Sequence, residues 1–218
     1  MEGSRSKTLI NKLLTFLIPF IFIIGGYIYY EGGIDMIRRT TPAILLITSL
    51  IALYSTEIPI DDLKRVVRVL IAGGVLTYCI EVIGVTTGFP FGIYNYGETL
   101  GIKLLDVPLV IPFNWVILSF ASYLLAGYFV LGRSRIVVAT VLLLIFDIIL
   151  EKAAPLTGQW EFSGGHPPLS NYISWIIIGG ILNLFLHITL KGTLYDRKAM
   201  SVLYLSQLLF LLIVILVG

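Results

Sequence analysis

Three acids stand inside segments that are otherwise apolar: Glu81, Asp147 and Glu151. Asp147 and Glu151 are four residues apart, so a helix presents them on one face. Two carboxylates that close repel if both ionise. Acids placed within a membrane span face a bundle interior or a wet cavity. Glu81 belongs to another segment and is expected at a similar depth. Three carboxyls at one level suit general acid–base work, in which one group gives a proton and another takes one from water. The blander reading pairs Glu151 with Lys152 at the interface and gives Asp147 a polar contact between helices.

Glu81 also opens a stretch unlike its neighbours. Between Glu81 and Trp115 lie Gly84, Gly88, Gly92, Gly97, Gly101, Pro90, Pro108, Pro112, Tyr94 and Tyr96, with no helical period. We read this stretch as the lid or wall of an active site that the helices hold in place. Aromatic residues cluster there and in the second half: Phe89, Phe91, Tyr94, Tyr96, Trp115, Trp160, Phe162, Tyr172 and Trp175. Interfacial belts of Trp and Tyr account for about half of such a set. The other account is a cavity for a long unsaturated ligand, whose π faces stabilise a carbocation. His187, beyond Asn183, reads as a structural hydrogen-bonding residue.

The elements that must position these residues follow from hydropathy. The chain is 57% apolar and 13% charged, with a mean hydropathy of +0.96. A soluble domain is about 25% charged. The expected fold class is therefore all-α: a polytopic membrane helix bundle, in one domain over residues 1–218. Seven spans are predicted, at 9–30, 41–54, 66–85, 113–131, 136–150, 172–190 and 202–217. The second and fifth are short for a bilayer and are expected to extend at one end. The first reads as a retained span rather than a signal peptide.

Basic residues set the orientation. With the N-terminus in the cytoplasm, that side holds Arg5, Lys7, Lys12, Lys64, Arg65, Arg68, Arg133, Arg135, Lys191, Arg197 and Lys198. The other side holds Arg38, Arg39, Lys103 and Lys152, a split of 11 against 4 among the 15. Glu81, the Gly/Pro/Tyr stretch, Asn114, Trp115, Asp147, Glu151 and the 152–171 connector then fall in the outer half or above it. The expected location is the cell membrane.

Several function classes fall away. A net charge of +2 does not argue for nucleic acid. The lone Cys79 precludes an intrachain disulfide, and two histidines, His166 and His187, lie too far apart to suggest a metal centre. The last span has no lysine for a retinal Schiff base. Asp61-Asp62 stands alone on the opposite side from the other acids, unlike the aspartate-rich diphosphate motifs of intramembrane prenyltransferases. No Walker-type loop is present.

The string Glu81-x-x-Gly84-x-x-Thr87-Gly88-x-Pro90-Phe91-Gly92-x-Tyr94-x-Tyr96 is followed by Leu100-Gly101, Val107-Pro108, Ile111-Pro112 and Trp115. It resembles the carotenoid biosynthesis protein family, whose characterised members are integral-membrane carotenoid hydratases, the bisanhydrobacterioruberin hydratases among them. Asp147-x-x-x-Glu151, Trp160 and Pro168-Leu169-Ser170-Asn171-Tyr172-x-x-Trp175 are similar to that family's acid pair, tryptophan and P-L-[ST]-N-[FY]-x-x-W segment. The resemblance covers roughly 66–190. Lys152 stands where a proline is common, Glu161 where a further aromatic is usual nearby, and Ser174 where glycine is expected.

The resemblance implies a membrane hydratase that adds water to a terminal C=C of a long acyclic carotenoid and needs no redox cofactor. Its partners would be the carotenoid in the bilayer and other enzymes of carotenoid biosynthesis. The residues fit such chemistry. Asp147 or Glu151 is the candidate acid, and Glu81 the partner that holds water. Phe91, Tyr94, Tyr96, Asn114, Trp115, Trp160, Asn171 and Trp175 are candidates for binding substrate, with Tyr94, Tyr96 and Asn171 orienting the water. Two other classes use the same residues: a proton-coupled carrier of a lipid or small apolar solute, and a non-catalytic carotenoid-binding subunit. A carrier needs polar residues at both membrane faces, and here the inner halves of the spans are nearly all apolar.

Overall fold

In a bilayer each backbone N–H and C=O must be satisfied within its own segment, which a helix achieves. The computed structural model describes residues 2–190 and 195–218, with side chains from Leu9 onward. Lys191, counted above on the cytoplasmic side, lies outside the described residues, as do the side chains of Arg5 and Lys7. The described residues form seven helices: α1 (Glu2–Tyr30), α2 (Ile34–Ser55), α3 (Ile60–Thr87), α4 (Val110–Ala126), α5 (Ser134–Thr157), α6 (Leu169–Leu190) and α7 (Lys198–Val217). Five of them, α1, α2, α3, α6 and α7, are long and apolar enough to cross a membrane. The chain is an all-α polytopic membrane bundle.

The helix ends differ from the hydropathy windows for a physical reason. A hydropathy window stops where polar residues begin, whereas the hydrogen-bond ladder continues into the polar zone. Thus α2 starts at Ile34 rather than 41, with Arg38 and Arg39 exposed on its first turns. α5 runs on from 150 through Glu151, Lys152 and Pro155 to a left-handed Gly158. Both short predicted spans are therefore full-length helices. α4 ends at Ala126 instead of 131, where Gly127 begins a turn.

α4 is apolar on all sides, the pattern of a helix with no solvent or lipid face. It is correspondingly central, buried along nearly its whole length and packed against α2, α3, α5, α6 and α7. α1 closes the bundle against α2 and α7. Away from the acids, the Arg135 Nε donates to the Tyr123 carbonyl at 2.6 Å and its guanidinium lies 4.0 Å over the Tyr123 ring. Tyr123 also hydrogen-bonds His187 Nδ1 at 3.0 Å, a structural contact.

At the other end, four short strands among the described residues join the helix termini. β1 (Tyr94–Tyr96) pairs antiparallel with β4 (Trp160–Phe162), with Tyr94 opposite Phe162 and Tyr96 opposite Trp160. β2 (Lys103–Leu104) and β3 (Val107–Pro108) form a hairpin whose turn residues Leu105 and Asp106 both have positive φ. The stretch that shows no helical period thus contains short strands. The Y-N-Y and W-E-F alternation is the signal that identifies β1 and β4, since successive strand side chains point to opposite faces.

Candidate active site

β1 and β4 turn Tyr94, Tyr96, Trp160 and Phe162 inward and Asn95 and Glu161 outward. The inward set roofs a cavity of about 290 Å³ within the bundle. Glu81, about two turns before the end of α3, projects into it from one wall. Its Oε2 accepts from the hydroxyls of Tyr94 and Tyr96, each at 2.7 Å, and its Oε1 accepts from Trp115 Nε1 at 2.9 Å. Gly84, one turn further along α3, makes the Tyr94 contact possible. A Cβ there would lie 2.8 Å from the Phe91 ring and 2.9 Å from the Tyr94 hydroxyl oxygen. Burial and the adjacent Glu81 carboxylate push both phenols above the ordinary tyrosine range, so they remain donors.

Glu151 faces the cavity from α5. Its Oε2 accepts from Trp160 Nε1 at 2.9 Å and its Oε1 from Asn171 Nδ2 at 3.0 Å. The same Asn171 nitrogen reaches Asp147 Oδ2 at 3.4 Å, so one amide bridges the two acids. Asp147 is fully buried, and its Oδ1 receives no donor from the described residues. The shared Asn171 amide and the four-residue spacing hold the Asp147 and Glu151 carboxyls together on one face of α5. Lys152 is exposed and forms no ion pair with Glu151, so the interfacial reading of Glu151 does not describe this fold.

Every sequence-predicted site residue except Asp147 lines the cavity. Asp147 stands behind Glu151 and Asn171, one helical turn back. Trp115 and Trp175 stack at the wall with ring centroids 3.6 Å apart. Tyr96 meets Trp160 edge-on at 6.0 Å, between the Glu81 and Glu151 sides. Phe89, in contrast, is 74% exposed and takes no part. Ser174, where glycine was expected, donates to the Ser170 carbonyl at 2.7 Å and is within 3.3 Å of the Pro90 carbonyl.

Several lining residues escaped the sequence reading. Gln159 is buried beside Trp160, its Nε2 donating to Thr157 Oγ1 at 2.9 Å. α1, α2 and α7 contribute an apolar arm that includes Phe22, Ile37, Ile44, Phe210 and Leu211. Ile24 and Met36 line this arm and are also more than half exposed, so the arm opens toward the lipid between α1 and α2. These residues carry no pattern that separates them from ordinary lipid-facing side chains. Among the described residues, no group of three or more His, Cys, Asp and Glu side chains is placed to hold a metal ion.

The arrangement joins two carboxyl centres, an indole stack and an apolar arm in one space. A 134-residue stretch is 31% identical to the bisanhydrobacterioruberin hydratase of Haloarcula japonica, covering 56% of this chain and 45% of that protein. The chain thus spans about half the length of the curated relative it matches. No solved structure matches it. The carotenoid biosynthesis protein family matches residues 41–218, which take in both carboxyl centres, the strand roof and the α7 wall, and the chain belongs to that family.

Proposed function

We propose that this protein is a carotenoid hydratase that adds water to a terminal C=C of a long acyclic carotenoid, giving a tertiary alcohol. The observation that carries this reading is the pair of carboxyl centres facing one cavity whose remaining arm is apolar. Membership of the carotenoid biosynthesis family and the hydratase relative support it. The polyene tail lies in the lipid and in the arm between α1 and α2, while its end meets the acids. The positive-inside bias sets the N-terminus in the cytoplasm and the site in the outer half of the cell membrane.

In this mechanism the Asp147–Glu151 pair holds one proton, and Glu151, which faces the cavity, delivers it to the less substituted alkene carbon. A new C–H bond forms, and the π pair leaves a tertiary cation on the neighbouring carbon. The Trp115–Trp175 stack offers that cation a π face. Glu81, held by its three donors, acts as an acceptor. It takes a proton from water as the water oxygen bonds to the cation. The fixed carboxylate also offsets positive charge in a site of low dielectric, where such an interaction is much stronger than in water. Proton return from Glu81 to the acid pair through water closes the cycle. Water is the only co-reactant, and both of its fragments end on the product.

The deciding experiment uses purified protein and anaerobic polyene in heavy water. Each new tertiary alcohol carries one non-exchangeable deuterium on the adjacent carbon, and its oxygen comes from labelled water. Product without that deuterium, or oxygen drawn from dioxygen, would indicate a hydroxylase and defeat the proposal.

A further inference from the structure

Gln207 lies midway along α7, is 3% exposed, and lines the cavity. Phe210 and Leu211, one turn further on the same face, line it as well, and Phe210 meets Phe22 of α1 at 6.2 Å. One turn earlier, Tyr204 packs on the cavity-lining Phe146 at 5.3 Å. Gln207 is thus a polar side chain in the apolar arm. Its side-chain nitrogen is buried with no hydrogen-bond partner among the described residues. Buried amides are almost always paired, because an unpaired one forfeits its hydration without replacement.

The position differs from that of the acids. The ends of α5 and α7 are level, since a Cβ on Gly218 would touch Leu156 at 3.4 Å. Glu151 stands about 9 Å from the end of α5 and Gln207 about 15 Å from the end of α7, at the helical rise. The cavity therefore has polar groups at two depths: acids, tyrosines and amides under the strand roof, and the Gln207 amide farther in, where the lining hydroxyls of Thr40 and Thr41 donate to α2 carbonyls.

We infer that Gln207 anchors a second polar subsite, which holds a hydroxyl group carried by the polyene itself, away from the reacting double bond. The inference rests on the reading of the cavity as a polyene site. An amide offers both a donor and an acceptor, and a half-turn of its terminal torsion exchanges which of them faces the cavity. A hydroxyl is the small neutral group that uses both. An ionic group would find no counter-charge there among the described residues, because the charged ones lining the cavity, Glu81 and Glu151, stand at the other depth. A plain hydrocarbon leaves the amide unpaired, so the subsite selects among substrates of equal length.

The test measures binding, which does not require turnover. All three tryptophans of the chain, Trp115, Trp160 and Trp175, line the cavity, so quenching of their fluorescence reports its occupancy. The ligands are a linear isoprenoid polyene hydrocarbon and the same skeleton bearing one hydroxyl at successive isoprene units from its end. Wild-type protein binds one hydroxylated member at least about tenfold more tightly than the hydrocarbon, the scale of an unpaired buried amide. Gln207→Leu and the more adaptable Gln207→Met bind that member and the hydrocarbon alike, and the hydrocarbon no more weakly than wild type. Equal binding of all ligands by wild type, as expected if resident water serves the amide, overturns the subsite. So does a preference that survives in both variants. Selective binding without hydration would remove the proposed activity and leave the subsite standing, whereas no polyene binding by any of the three proteins overturns both.

Discussion

Replacing Glu81 with glutamine tests the proposed chemistry with little change of shape. The carboxylate accepts three hydrogen bonds, from Tyr94 and Tyr96 at 2.7 Å and from Trp115 at 2.9 Å. A glutamine supplies one acceptor oxygen and one donor nitrogen. The indole N–H can only donate, so the glutamine oxygen must turn toward Trp115. Its nitrogen then faces the two phenol oxygens, which can accept, but their own protons lose the carboxylate. The exchange of two charge-assisted bonds for weaker ones costs about 1–3 kcal/mol of stability, which a folded bundle tolerates. The catalytic loss is larger. Removing a general base lowers turnover by about 10²–10⁴-fold, and a 10²-fold loss corresponds to about 2.7 kcal/mol in the barrier. Formation of tertiary alcohol, followed chromatographically, and thermal unfolding, followed by tryptophan fluorescence, separate the two effects. A folded Glu81→Gln protein with near-wild-type turnover would refute the assignment of Glu81 as the base.

Asp147→Asn is expected to leave folding nearly intact and to reduce hydration by about 10²-fold, because Glu151 loses the acid with which it shares a proton. Activity within a few-fold of wild type would remove Asp147 from the proton path. For topology, with Cys79 replaced, a cysteine at Gly164 is expected to label from outside intact cells and one at Ser134 to remain unlabelled; the reverse pattern overturns the orientation. Gly97 is unsuitable for this experiment, since its Cβ would collide with the Gly158 carbonyl oxygen. Tyr94 and Tyr96 have folded pKa values raised by burial and then by Glu81, so the stability they contribute is whole below about pH 10. It is lost as the pH climbs toward those raised values, because the unfolded chain releases protons that the folded one keeps. The Tyr94→Phe, Tyr96→Phe double variant should therefore lose stability less steeply above about pH 10. It should also leave the phenolate absorbance step of the ordinary tyrosines unchanged. A smaller step would show that the two hydroxyls titrate normally.

The membrane class, the seven helices and most of the polar and aromatic residues that line the cavity were legible in the chain itself. Hydropathy over a span and the four-residue spacing of Asp147 and Glu151 are local properties, and a helix in lipid has no other way to satisfy its backbone. Period-two alternation in Tyr94–Tyr96 and Trp160–Phe162 was equally local, though it needed two strands from distant parts of the chain to become visible. Only the tertiary structure decided which carboxyl meets the cavity. Asp147 and Glu151 lie on one helix face, and packing against α6 brings Asn171 between them and leaves Asp147 behind. The three donors on Glu81 likewise come from β1 and α4, at sequence distances that no spacing rule connects. The apolar arm is the clearest case. Phe22, Ile37 and Phe210 look like any other greasy residues in α1, α2 and α7, and each helix has a lipid side and a protein side of nearly the same composition. What turns those residues inward is the rotation of each helix against its neighbours, which is set by close packing summed over the whole bundle.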